Sequence, residues 1–323
     1  MLKWPKKNPR QFAFAISFHK QAIHIAVLKA SKETASSPQS NALYWRGRNW
    51  ELIVNDDIDV ENDNFASALL ELLKRYERFS FKRQPLQIVL SSAFVEQVSV
   101  DKPELPEGDI AAALQWTLKE LVDIPPADIV VDYYDLPIQT GSEKKIQAVV
   151  ANRQFLQPIL DVLHKEEFDI QGIVNADLAY SQWFDKDERV LALSQTQHDT
   201  NQLQIIVENR LILTRELSRI KPIRLIAPDD MDELEALALE MQRSIDFFTS
   251  QLRQAPLAEV ALATTHPRAS EIVDVIGAQL GMQSRVLNYP SWAQELKAGN
   301  YTDLVVLSGL LWLVAFSNKE GAS

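Results

Sequence analysis

The 323-residue chain has 46% hydrophobic and 24% charged residues, the balance of an ordinary folded protein long enough for two domains. A formal net charge of −11 opposes binding to nucleic acid, which needs clustered Lys and Arg, and the absence of cysteine removes disulfides, thiolate metal sites and cysteine nucleophiles. Only nine glycines are present, under half the usual share of about 7%, so loops whose backbone must wrap a phosphate are poorly supplied.

The first ten residues, MLKWPKKNPR, place Lys3, Lys6, Lys7 and Arg10 around Trp4 without the apolar stretch of a signal peptide. Weak contact of residues 1–10 with an anionic membrane surface is expected of them. Residues 10–29 form two apolar runs joined by a short polar turn, which predicts a β-hairpin. His19 is expected at the bend and His24 on the returning strand, too far apart to converge on one metal. ALYWRGRNWELIV, residues 42–54, alternates like a third strand. The acidic run at 55–64 is read as a solvated loop that caps the helix FASALLELLKRYERF. It is not a calcium loop, because no register supplies both Gly at the sixth position and Glu at the twelfth.

PLQIVLSS predicts a buried strand. FVEQVSV, PEGDIAAALQWTLKELV, DIVVDYYDLP and KKIQAVVAN then read as strand, helix, strand and strand, and RQFLQPILDVLHKEEF closes the stretch as a helix ending in a solvated His164. This unit, about 94–165, is expected as an inserted subdomain. DIQGIVN and ADLAYSQWF supply one more strand and helix.

From residue 190 the opening pattern starts again, with strands VLALSQ, NQLQIIVE and RLILTREL before a long helix at 228–253. Asp229, Asp230, Asp232 and Glu233 complement the positive end of that helix and are read as capping rather than metal binding. A strand, a helix, a strand and a short helix from Pro290 follow. LVVLSGLLWLVAF, residues 304–316, is too short to cross a bilayer and is read as a buried element. No Gly-x-Ser-x-Gly, His-Glu-x-x-His or Walker motif occurs.

Three strands, a helix, a strand and more helix thus occur twice. This predicts an α/β fold of the actin-like, duplicated ribonuclease H-like kind, with two halves around a cleft. The first half is expected over 1–185, carrying the insert, and the second over 186–323.

EALALEMQRSIDFFTSQ, with Arg243, Ser244, Ile245, Asp246 and Phe247 near its end, resembles the long-helix signature of the PilM family of actin-like type IV pilus assembly proteins. IAAALQWTLKELVDIPPADIVVDYYDLP, RLILTREL and YTDLVVLSGLL resemble, in order, that family's insertion, second-domain hairpin and C-terminal core segment. The departures and the MLKWPKK start resemble the branch serving the mannose-sensitive haemagglutinin (MSHA) pilus, the MshI kind. The cytoplasmic part of type II secretion protein GspL fits less well, because a membrane span would follow it.

The resemblance implies an ATP-binding cleft, and the sequence departs from it there. The family's first phosphate loop places Asp and then Gly at the hairpin bend, and the matching positions read Ala15 and Ser17. The second loop gives Ala192 and Ser194, and the Gly pair of the adenosine loop becomes Thr264 and Thr265. His198 beside Asp199 and His266 near Arg268 fall in the two loops that would face a nucleotide. A degenerate nucleotide site follows as the expectation, with no cofactor, no metal and no catalysis.

By resemblance, the chain is expected to be a cytoplasmic scaffold, peripheral at the inner membrane. It would hold the cytoplasmic N-terminal tail of a single-span, PilN-like membrane protein in a groove beside the insert, among other pilus-machine components. The alternative is an active actin-like ATP-binding protein or ATPase of pilus or type II secretion machinery.

Overall fold

The computed structural model describes residues 10–316 other than 33, 35–38, 40, 197–199, 295 and 297–300. Residues 1–9, His198 and Asp199 lie outside the described residues.

The opening hairpin pairs β1 (Phe12–His19) with β2 (Ala22–Ala30) around Lys20 and Gln21. Because strand side chains alternate, Phe14, Ile16 and Phe18 enter one core while Ala13 and Ala15 enter another. A large-residue face and a small-residue face, both buried, are what made the run read as continuously apolar.

Residues 42–54 form not one strand but a second hairpin, β3 (Leu43–Trp45) and β4 (Arg48–Asp59). Its turn uses positive φ at Arg46 and Gly47, 52° and 72°. The acidic residues 55–59 continue β4 rather than forming a loop. Their backbone pairs with β2 as far as Asp59 opposite Ala22, while Asp57 and Asp59 stay exposed. Asn64 then caps α1 (Phe65–Arg75), its side chain accepting from the Ser67 N–H at 3.2 Å.

β5 (Pro85–Leu90) leads into a small module of β6 (Val95–Asp101), α2 (Glu107–Leu118), β7 (Ile129–Asp135) and β8 (Lys145–Asn152). Its three strands pair in the order β6-β8-β7, and Ile110, Leu114 and Leu118 of α2 pack on them in a separate core. The insert was expected to run to about 165. Instead α3 (Arg153–Lys165) turns Leu156, Ile159 and Leu163 into the core that holds Phe14 and Leu69, so the module ends near Asn152. β9 (Asp169–Asn175) and α4 (Ala176–Tyr180) complete this region.

The second half contains β10 (Arg189–Gln195), β11 (Gln202–Val207), β12 (Arg210–Glu216) and α5 (Met231–Asp246). β13 (Glu259–Thr264), α6 (Ala269–Leu280), β14 (Gln283–Val286) and α7 (Ser291–Gln294) follow, and α8 (Leu304–Phe316) comes last. Two sheets result, β3-β4-β2-β1-β5-β9 and β12-β11-β10-β13-β14. β1 lies antiparallel to β2 and parallel to β5, which is parallel to β9, and likewise β10 lies antiparallel to β11 and parallel to β13, which is parallel to β14. The duplication is therefore one of topology.

The apolar segment at 304–316 is buried, as its composition predicts. α8 lies on β1 and β5, with Leu304, Leu307 and Leu310 in a cluster that joins Ala13 and Ala15 to Ala192 and Ala261. Among the described residues no helix is long and apolar enough to cross a membrane.

Several tyrosines are tied into this packing. Burial and a hydrogen bond to Asp56 push the Tyr76 phenol up to about 12, and burial raises Tyr134, Tyr180 and Tyr289 as well. An unfolded tyrosine loses its proton near pH 10, so above that pH the unfolded chain releases protons that the native state still holds. The stabilisation is complete below pH 10 and lost as pH rises through the native values. Melting temperatures are expected to fall steadily from pH 10 to 12; a flat profile across that window would contradict this.

Candidate functional site

The hairpin bend falls at Lys20 and Gln21, which moves the expected phosphate-loop positions. Ala15 is not at the bend. It lies mid-strand, opposite Ala26 on β2 and Gln87 on β5, and a Cβ added to Gly309 of α8 would sit 3.2 Å from its own Cβ. The residues of that face nearer the bend are Ser17 and His19, both buried, with Ser17 Oγ and His19 Nε2 3.1 Å apart.

His24 pairs across from Ser17, and this brings its ring to 4.7 Å from that of His19. The two histidines, expected apart, therefore touch. Among the described residues no group of three or more His, Asp or Glu is placed to hold a metal.

In the second half Ala192 is buried mid-strand in the shared apolar cluster, while Ser194 near the end of β10 faces the seam between the halves. Thr264 ends β13, also buried, and Thr265 begins the turn into α6. In that turn His266 Nδ1 accepts from the Arg268 N–H at 3.0 Å, and the Arg268 guanidinium donates to Glu271 at 2.7 and 2.5 Å. Arg268, the cation of that loop, is thus already paired with a carboxylate.

The string at 243–247 is built into the helix–sheet contact. Arg215 of β12 donates to Ser244 Oγ at 2.7 Å and to Glu240 at 3.0 Å, and Arg243 pairs with the same glutamate. Phe247 then opens a π-helical turn ending at Gln251.

At the seam, Ser91, Asp177, Tyr180, Ser194, Gln204 and Ser308 are among the residues enclosing a cavity of about 30 Å³. Ligand pockets are typically about 300–1,000 Å³. The seam cavity falls well below that range. Asp177 is the seam's buried charge, 6% exposed, and it accepts from Gln97 Nε2 at 2.7 Å and Gln204 Nε2 at 2.6 Å. Those two amides come from the module and from the second half. Sequence reasoning missed Asp177; its one signal is the Asn-Ala-Asp at the exit from β9, where Asn175 caps α4.

A second feature is open. Between β7 and β9 runs a groove of about 790 Å³, walled by Val130, Tyr134, Ile173, Leu178, Trp312 and Phe316 among others. Among the described residues β9 pairs only with β5 and β7 only with β8, so both strands turn a free edge outwards. The Trp312 and Phe316 rings stack at 4.0 Å. Asn175 also lines the groove, 3% exposed. Its Oδ1 caps the Leu178 N–H at 2.8 Å, and among the described residues its buried Nδ2 has no hydrogen-bond partner.

No protein-family model and no curated protein matches the sequence. Solved structures do match in shape. A PilM–PilN type IV pilus biogenesis complex superposes with a TM-score of 0.64 at 14% identity, over 95% of this chain and 99% of that one. A Bacteroides thetaiotaomicron protein with an actin-like ATPase fold and unknown function gives 0.53 at 11%, over 94% and 96%. The fold is actin-like. The cytoplasmic domain of EpsL, an inner-membrane component of the type II secretion system of Vibrio cholerae, also shares it, with a TM-score of 0.50 at 14% identity over 93% and 94%. Within the actin-like frame, the seam is where the two halves meet, and the groove lies outside it, between the inserted module and the first sheet.

Proposed function

We propose that this chain is a non-catalytic scaffold of type IV pilus or type II secretion assembly, holding the tail of a PilN-like membrane protein in the groove between β7 and β9. The observation that carries this is the groove itself. Two free strand edges border one apolar trough. An extended peptide suits both features. Its main chain adds to a strand edge, and alternate side chains enter the apolar wall. A partner anchored in the inner membrane would also bring the scaffold to that surface. The finer assignment to the MSHA pilus, the MshI kind, rests on the sequence resemblance.

Ile173, 41% exposed on β9, is the residue to change. Ile173→Glu is expected to weaken binding of a synthetic PilN-type N-terminal tail peptide about 30-fold or more, with the melting temperature nearly unchanged. Undiminished peptide affinity in the variant would remove the groove from the proposal.

One observation favours the alternative of an active ATP-binding protein: Asp177 is a buried carboxylate at the seam, where an ATPase needs one. The small cavity and the Ala192, Thr264 and Thr265 positions favour the scaffold. A ligand at 100 times its Kd would stabilise the native state by about 2.7 kcal/mol. Millimolar MgATP is expected to leave the melting curve in place, and a rise of several degrees would establish the alternative.

A further inference from the structure

We propose that the groove and the seam are coupled through four side chains, Tyr134, Gln97, Asp177 and Gln204, so that filling the groove loosens the hold on the second half. This rests on the reading of the groove as a ligand site.

The chain of hydrogen bonds is continuous. Tyr134 lines the groove from β7 and its Oη donates to Gln97 Oε1 at 3.3 Å. Gln97, on β6, donates through Nε2 to Asp177 Oδ2 at 2.7 Å. Asp177, on α4, accepts at Oδ1 from Nε2 of Gln204 on β11 at 2.6 Å. Tyr134 thus ends the chain in the groove, and Gln204 ends it at the seam cavity.

The directions of these bonds are fixed by the charge in the middle. An ionised carboxylate only accepts, so both glutamines must turn their NH₂ ends towards Asp177. That leaves the Gln97 oxygen facing Tyr134, which must donate. Gln97 uses both ends of one planar amide, so displacing the tyrosine frees the oxygen and lets the NH₂ end rotate away from Asp177. Hydrogen-bonded networks of this kind respond as a unit, because each bond orients the next. Packing supplies a parallel link. Ile138, in the β7–β8 connection, lies against the second half's core, so the module touches both halves.

The absence of native cysteine permits a test on the whole chain. Ile173→Cys would carry the sole thiol, and a pyrene maleimide attached there fills the groove without any natural ligand. Hydrogen exchange would then be read at β7, β9 and β11. The adduct is expected to speed exchange of the β11 amides by about threefold or more, the scale of a modest intersite coupling. Tyr134→Phe, which removes only the hydroxyl, is expected to speed β11 exchange unaided and to cancel any further effect of the adduct.

The coupling is overturned if the adduct alters β7 and β9 while β11 stays as in the unlabelled protein. It is equally overturned if an effect of full size persists in Tyr134→Phe, or if complete labelling changes none of the three strands. Because no peptide is used, these outcomes are independent of the titration with Ile173→Glu, which can fail or succeed separately.

Discussion

Gly309→Leu is expected to leave almost no folded protein, and Gly309→Ala to lose about 1–3 kcal/mol, the range for overpacking a filled core. A Cβ on Gly309 would stand 2.5 Å from Val89 Cγ2 and 3.2 Å from Ala15 Cβ. Valine is stiff at χ1 and its strand is buried, so Val89 has no easy retreat. The helix would have to lift from β1 and β5, opening the cluster that also contains Ala192 and Ala261. Guanidinium unfolding checks this, with Gly108→Ala as the control. A Cβ on Gly108, in the first turn of α2, meets nothing within 4 Å, so that change is expected to be neutral or to add up to about 1 kcal/mol. Equal stability of Gly309→Ala and the parent would show that the helix is not seated this closely.

Asp303→Ala is the second large effect expected. Asp303 is buried just ahead of α8. It accepts from the Tyr289 hydroxyl and, at 2.6 Å, from Asn55 Nδ2 on β4. Each hydrogen bond to a charged group is worth about 1.5–3 kcal/mol, so losing both is expected to lower stability by about 3–6 kcal/mol. Tyr289→Phe removes one donor and should lose less than half as much. A shift in the denaturation midpoint below about 1 kcal/mol for Asp303→Ala would mean the carboxylate's desolvation already offsets its bonds.

The repeated strand pattern was legible in the sequence because alternation and helical spacing are local signals, and both halves carry them. Register was not. The bend was read at His19, beside the actual turn at Lys20 and Gln21, but both faces of β1 are apolar, so nothing local said how far from the bend Ala15 lies, and it was read too close to it. The acidic end of β4 looked like a loop because charge is a poor guide on a strand whose backbone, not its side chains, makes the pairing. α3 shows an ordinary amphipathic face, and no pattern in it says which sheet it will cover. The groove and Asp177 depend on three distant segments meeting, which a linear reading does not reveal.

The seating of α8 also governs how the chain matures. Every strand of the first sheet has left the ribosome once residue 175 has emerged, yet the helix that covers its alanine face ends at residue 316. At about 5–20 residues per second that interval lasts on the order of ten seconds. Throughout it, Ala13, Ala15 and Val89 lack their cover, so the first half cannot complete its core as it is made. Its closure waits for residues 304–316. A nascent chain stalled before residue 304 therefore presents an open apolar sheet to whatever chaperone stands at the exit tunnel.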